Sequence, residues 1–199
     1  MKPYLRNIFA ASAACAALAG CGANVAKDDF GGQARRLTSN EIAMAQQIFG
    51  NQIDYRRVTI RARMGKTSDA LNGHIRMARG LYSNDYASPY TSLRAKQVFM
   101  HEMVHVWQHQ RGVDVVGEAV SLFFEHGGDY SQSYNYNINT INDYNALSIE
   151  QQAEIIENYY GLSASLNRAN ANINCPQILS HERVIKPIFP SIRTPKLCR

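Results

Sequence analysis

The chain has 199 residues and a formal net charge of +5, and this length is typical of one domain. The charged residues from 55 to 100 are mostly basic, whereas those from 101 to 160 are almost all acidic. A basic segment of this kind fits anionic lipid headgroups, an anionic polymer or a plain solvated strand surface. Nothing in the pattern indicates a nucleic-acid partner.

The N-terminus has the features of a bacterial lipoprotein signal, which we place at residues 1–20. A short basic segment precedes an apolar stretch, residues 8–19, that is too short to span a bilayer as a helix. The sequence Leu18-Ala19-Gly20-Cys21 resembles a lipobox, which implies cleavage before Cys21 and lipidation of its thiol. Gly22 favours the outer membrane, facing the periplasm or the surface. Secretion with cleavage nearby is the alternative, and both predict a location in or beyond the cell envelope.

A polar, glycine-rich segment, residues 21–36, follows and predicts a flexible tether between the lipid and the domain. We predict one domain over residues 37–199. Its first helix has a capping-box pattern at Thr38 and Glu41, and Gly50 ends it.

Two alternating segments then predict strands, at residues 55–63 and 74–82. Asn72-Gly73 between them is a turn signal. We therefore expect an α+β fold in which a small antiparallel sheet packs on a helical core. The second strand is a candidate edge for pairing with a substrate backbone, or it merely covers the next helix.

That next helix carries the pattern H-E-x-x-H at His101, Glu102 and His105. Two histidines four residues apart leave the same face of a helix, so both imidazoles can bind one ion. Glu102 lies about 100° around the helix, where it can act as general base on a zinc-bound water. A solvated polar patch is the alternative. The apolar residues around the motif argue against it, because they predict a buried helix whose polar groups need partners.

Residues 129–144 are rich in tyrosine, asparagine and serine and follow a second apolar helix predicted at 114–125. This loop either walls a cleft or carries a proton donor. The sequence does not choose among its candidates, which are Tyr130, Tyr134, Tyr136 and Tyr144.

A catalytic zinc site needs a third protein ligand. The extended pattern with a third histidine fails, because position 111 is Arg111, and a straight helix carries His109 away from the ion. Glu150 is the better candidate, since Ser148 and Gln151 form a capping box that places it in the first turn of a helix. Glu154 lies one turn later and could accept the N–H of a ligand imidazole. An exposed acidic helix face is the alternative.

Cys175 and Cys198 remain once Cys15 is assigned to the signal and Cys21 to the lipid. An even pair in an oxidising compartment most simply forms one disulfide, which here would close a proline-rich C-terminal tail. Metal ligation is the weaker alternative.

H-E-x-x-H followed by a later E-x-x-x-(D/E) resembles the gluzincin plan. The segments from Leu37 to Tyr55, His101 to His109 and Glu150 to Glu154 are similar to small bacterial proteins described as Vgr-related, or as associated with contractile injection and type VI secretion. The resemblance implies a zincin-like domain with His101, His105 and Glu150 on Zn²⁺, and with secretion-system components as partners. The sequence departs from the plan at position 154, where gluzincins more often have aspartate.

Together these features predict a zinc-dependent hydrolase, a metallopeptidase with Glu102 as base, anchored in the cell envelope through Cys21. Its substrate would be a peptide, a protein or a peptidoglycan peptide. The alternative is a non-catalytic, zinc-stabilised envelope lipoprotein or secretion accessory that binds partners through the tyrosine-rich loop.

Overall fold

The computed structural model describes residues 33–199, so the predicted signal, the lipidation site Cys21 and most of the tether lie outside the described residues. The helices are α1 (Ser39–Phe49), α2 (Leu93–Gln110), α3 (Val115–Glu125), α4 (Ile149–Ala164) and α5 (Ala171–Ile185). The strands are β1 (Arg35–Arg36), β2 (Thr59–Arg63), β3 (Asp69–Leu71) and β4 (His74–Ala78). The α+β class is confirmed.

The sheet is mixed, which corrects the expectation of an antiparallel one. Its strand order is β1-β2-β4-β3, and β2 pairs with β4 in parallel. The predicted turn at Asn72-Gly73 is present, with φ values of 50° and 77°, but it joins β4 to the short strand β3. The three residues of β3 are too few to show alternation in the sequence. As a result β4 lies inside the sheet, and β1 and β3 are its edge strands.

Helix α2 lies between the sheet and α4, and this position explains why 12 of its 18 residues, including all of Val98 to Gln108, are buried. Ile60, Ile75 and Met77 of the sheet are fully buried on the inner face. On the other side, α2 packs against α4, and the side chain of Gln97 on α2 lies against Gly161 of α4. The helix with the H-E-x-x-H motif is therefore the central element of the core.

The segment predicted as a tail is mostly helical. Helix α5 packs against α4, and Cys175 near its start forms a disulfide with Cys198, with 5.2 Å between the Cα atoms. Pro176 inside α5 masks the helix in the sequence, because proline usually marks a helix boundary. No helix within residues 33–199 is long and apolar enough to cross a membrane.

Glu41 of α1 is fully buried, and its carboxylate accepts hydrogen bonds from three other residues. Both of its oxygens accept from the guanidinium of Arg35, at 2.7 and 2.8 Å. They also accept from the backbone N–H groups of Thr38 (2.8 Å) and Tyr86 (2.9 Å). We call these residues the Glu41 cluster. Each carboxylate oxygen thus has two hydrogen bonds from the protein.

Candidate metal centre

Helices α2 and α4 bring His101, His105 and Glu150 together, although Glu150 lies 49 positions after His101. All three side chains are buried. Oε2 of Glu150 lies 3.2 Å from Nε2 of His101 and 3.5 Å from Nε2 of His105. One donor atom from each residue lies within 4.8 Å of the others. The structure thus places the three predicted ligands around one point.

Local structure explains this convergence. His101 and His105 lie one turn apart on α2, so their rings leave the helix on the same side. The Ser148–Gln151 capping box predicted from the sequence is present and starts α4, which puts Glu150 in the first turn. The packing of α4 against α2 then brings the carboxylate of Glu150 next to the two imidazoles.

Gln108 determines which nitrogen of His105 is free. Its Nε2 donates to the backbone carbonyl of Ile149 at 3.1 Å, and that carbonyl can only accept. The amide oxygen of Gln108 must therefore face His105, where it lies 2.8 Å from Nδ1. Because this oxygen can only accept, Nδ1 carries the proton. Nε2, which points at Glu150, is left with its lone pair, as a metal ligand requires.

The carboxylate of Glu157 lies beside Nδ1 of His101, as the amide of Gln108 lies beside Nδ1 of His105. Its Oε2 lies 3.2 Å from Nδ1 of His101, although this contact does not meet regular hydrogen-bond geometry. Arg94 forms an ion pair with the same carboxylate. Glu154, predicted for this position, instead accepts from Asn158 at 3.1 Å. Glu157, two turns after Glu150, makes the 3.2 Å contact with the ring, while donor atoms of Glu154, Glu157 and His101 lie within 4.8 Å of one another, and the role of Glu154 stays a prediction.

The donor arrangement matches a tetrahedral ion. With bonds of about 2.0–2.1 Å, zinc keeps neighbouring donor atoms about 3.3–3.4 Å apart. The two distances from Glu150 to the imidazoles, 3.2 and 3.5 Å, lie on either side of that value. Two imidazoles and a carboxylate also form a donor set that zinc accepts. These residues therefore fit a zinc ion.

Acidic side chains and imidazoles lie close together at this site and shift one another's pKa values. Burial opposes ionisation of Glu150, but His105 and His101 outweigh it and hold the pKa of Glu150 well below its usual value. Burial lowers the pKa of His101, while Glu150 and Glu157 outweigh that effect and raise it well above the usual value. Two acidic residues thus attract a cation to this point.

Glu102 is buried beside these residues and is incompletely satisfied. Its Oε2 has no hydrogen-bond partner among residues 33–199. Burial raises the pKa of Glu102 to about 7, and the nearby His101 and His105 partly oppose that rise. A buried carboxylate without a partner is costly, so its retention indicates a ligand that the protein itself does not supply.

The four tyrosines of the 129–144 segment have different roles. Tyr130 donates to Oε1 of Glu150 at 2.6 Å, which leaves Oε2 for the ion. Tyr136 contacts His181, with 3.0 Å between its hydroxyl and Nε2, and Tyr144 donates to the backbone oxygen of Gln152 at 2.9 Å. Burial and the charge of Glu150 raise the pKa of Tyr134, which faces the site from the same turn as Tyr130.

Sequence reasoning missed Gln108, Glu157 and Tyr130 as supports of the ligands. Periodicity carried a signal for two of them, since Gln108 is one turn after His105 and Glu157 is two turns after Glu150. No sequence signal distinguished Tyr130 from its neighbours. His109, the rejected ligand, packs beside Gly73 at the β3–β4 turn.

Comparisons with known proteins identify relatives of this domain. No protein-family model matches the chain. In an alignment 159 residues long, which covers 74% of the chain, the chain is 35% identical to the type VI secretion system spike protein VgrG2b of Pseudomonas aeruginosa strain PAO1, and it spans 15% of that protein's length. The solved effector domain of P. aeruginosa VgrG2b is 30% identical, with a TM-score of 0.57 over 76% of this chain and 81% of that one. The chain therefore belongs to the same family as the effector domain of VgrG2b.

Proposed function

We propose that the protein is a zinc-dependent hydrolase, a peptidase of the gluzincin type. One observation carries the proposal: Oε2 of Glu150 lies near tetrahedral spacing from Nε2 of both His101 and His105, and the incompletely satisfied carboxylate of Glu102 belongs to the same turn of α2. His101, His105 and Glu150 would hold the ion. Gln108 and Glu157 would fix the orientation of the two imidazoles.

A bound zinc ion would polarise the scissile carbonyl and lower the pKa of an attacking water. Glu102 takes one proton from this water as its oxygen bonds to the carbonyl carbon. Glu102 then delivers that proton to the amine nitrogen as the C–N bond breaks. One water is consumed, one acid and one amine are formed, and Glu102 returns to its starting state. The raised pKa of Glu102 accords with a group that both accepts and donates a proton.

The family relationship supports a role associated with type VI secretion, because the relatives are a secretion spike protein and its effector domain. We propose secretion-system components as partners. The N-terminal sequence supports a place in the cell envelope with a lipid at Cys21. A peptide, protein or peptidoglycan peptide is the proposed substrate.

The decisive experiment replaces Glu102 with glutamine in soluble protein that begins after Cys21. Zinc content would be measured by elemental analysis, and cleavage would be measured with fluorescein-labelled casein and a random-peptide library. We expect about one zinc per chain in parent and variant, with the rate reduced by at least about 100-fold, the lower range for loss of an acid–base group. Glu118→Gln, an exposed position on α3, is the matched control and should cleave like the parent.

Two outcomes would contradict the proposal. Zinc-loaded parent that cleaves neither probe would favour the alternative, a zinc-stabilised binding module. Parent that binds no zinc after reconstitution would overturn the metal centre itself.

A further inference from the structure

The outer face of the sheet, which points away from α2, is strongly basic. Ile60 and Ile75 are paired and buried, so strand alternation directs the residues on either side of them outward. The outward positions are Thr59, Arg61 and Arg63 of β2, His74, Arg76 and Ala78 of β4, and Asp69 and Leu71 of β3. The exposed Arg79 follows directly after β4 and contacts Met64, the residue after β2, so it extends this surface. We call the four basic residues the arginine face: Arg61, Arg63, Arg76 and Arg79.

Asp69 shows how the arginine face holds a carboxylate. Arg76 binds it through two parallel hydrogen bonds, from Nε to Oδ1 at 2.5 Å and from Nη2 to Oδ2 at 2.9 Å. Arg63 forms an ion pair with the same carboxylate, and its side chain must cross β4 to do so, because β4 lies between β2 and β3. These outward positions hold three arginines and one aspartate, so their formal charge stays positive. The face thus binds a carboxylate presented from a strand and still attracts anions.

The spacing of the arginines fits an extended peptide. Arg61 and Arg63 lie two residues apart on β2, which corresponds to about 7 Å along a strand. Alternate side chains of an extended peptide have the same spacing, so carboxylates at every second residue can meet successive arginines. Guanidinium groups bind carboxylates through two parallel bonds, as Arg76 does here. The face therefore fits a row of carboxylates better than a single anion.

The arginine face adjoins the candidate metal centre at one edge of the sheet. Strand β3 packs against α2, the helix that carries His101, Glu102 and His105. Burial, and with it the charge of Asp69, raises the pKa of Glu102, so the start of β3 lies within electrostatic range of the proposed base. A peptide held on the arginine face would lie close to the residues proposed to cleave it.

We propose that the arginine face binds acidic segments of peptide substrates, in which carboxylates recur at every second residue of an extended stretch. This inference rests on the proposed hydrolase function for the fate of the peptide, whereas binding itself does not depend on cleavage. The contacts form away from the scissile bond and are equal in the ground state and the transition state. They therefore lower KM and leave kcat unchanged.

Binding is tested with two fluorescein-labelled peptides, one of alternating glycine and glutamate and the other of alternating glycine and glutamine. Glu102→Gln protein is used so that neither peptide is cleaved. At 0.1 M NaCl we expect the glutamate peptide to bind at least about fivefold more tightly, as several exposed ion pairs together allow. This preference should largely disappear at 1 M NaCl, because the Debye length falls from about 10 Å to about 3 Å.

Arg61→Gln combined with Arg79→Gln removes two charges of the face and leaves the ion pairs of Asp69 in place. One exposed ion pair changes affinity by about 1.5- to 5-fold, so the double variant should bind the glutamate peptide about fivefold more weakly. Arg168→Gln combined with Arg193→Gln makes the same change at exposed positions outside the face and should bind like the parent. In protein with Glu102 intact, the first double variant should raise KM for acidic peptides of the library without lowering kcat.

The outcomes separate this inference from the function on which it rests. Equal affinity for the two peptides, or glutamate binding that the Arg61 and Arg79 double variant retains, would overturn the inference alone. Binding to phosphatidylglycerol vesicles that requires Arg61 and Arg79, without a preference for the glutamate peptide, would overturn it in favour of a membrane surface. A parent that binds the glutamate peptide but cleaves neither casein nor the library would overturn the hydrolase function, and the acidic-peptide site would stand.

Discussion

The Glu41 cluster and the metal centre both bury carboxylates, but they satisfy them differently. Glu41 has four hydrogen bonds, from Arg35, Thr38 and Tyr86, and needs nothing further. At the candidate metal centre, Oε2 of Glu102 has no hydrogen-bond partner among residues 33–199, and Oε2 of Glu150 lies near both imidazoles. The difference supports a purely structural role for the Glu41 cluster and supports the proposed metal site at the second group of carboxylates.

The largest expected effect comes from Glu150→Gln. Loss of a ligand should cost more than loss of a residue that only orients a ligand, so zinc affinity should fall by more than about 100-fold, measured by competition with a fluorescent chelator. Glu41→Gln should leave zinc affinity unchanged in the same assay. If both variants lost zinc equally, the distinction between a structural cluster and a ligand site would fail.

Glu41→Gln tests the other side of the comparison. Breaking a buried ion pair leaves Arg35 uncompensated, so the free energy of unfolding should fall by about 3 kcal/mol. For a domain of this size that corresponds to a Tm lower by about 6–12 °C, measured by calorimetry. Glu125→Gln, at an exposed position, is the control and should stay within about 0.5 kcal/mol of the parent. A loss as small as that of the control would mean that the cluster does not stabilise the fold.

The smallest effect sharpens the assignment around His101. Glu157→Gln should lower zinc affinity by about 10-fold, the low end for residues that orient a ligand, because the amide binds the ring N–H less strongly. Glu154→Gln serves as the matched control and should lie within about threefold of the parent, because Glu154 bonds Asn158 instead. The reverse order of the two variants would favour Glu154 as the partner of His101.

Much of the site was predictable because it is built from local patterns. The spacing of His101 and His105 determines a shared helix face, and the Ser148–Gln151 capping box sets the start of α4 and thus the position of Glu150. Both signals depend only on residues within one or two turns.

The supporting residues were not predictable, because their roles depend on how α2 and α4 pack. Glu154 and Glu157 share one face of α4, and only the rotation of that helix against α2 selects Glu157. The parallel pairing of β2 and β4 is likewise set by tertiary contacts. Strand β3 has only three residues, which are too few to show an alternating pattern in the sequence. Helix α5 was missed because Pro176 opposes the usual helix signal.

The metal donors come from two helices that are distant along the chain and meet only when α4 docks on α2. An extended or partly folded chain therefore has no assembled centre. The chain must first form a loop that brings Glu150 to His101, 49 positions before it. The proposed activity would therefore require the folded domain. Folding of the domain would be the step that assembles the proposed active site.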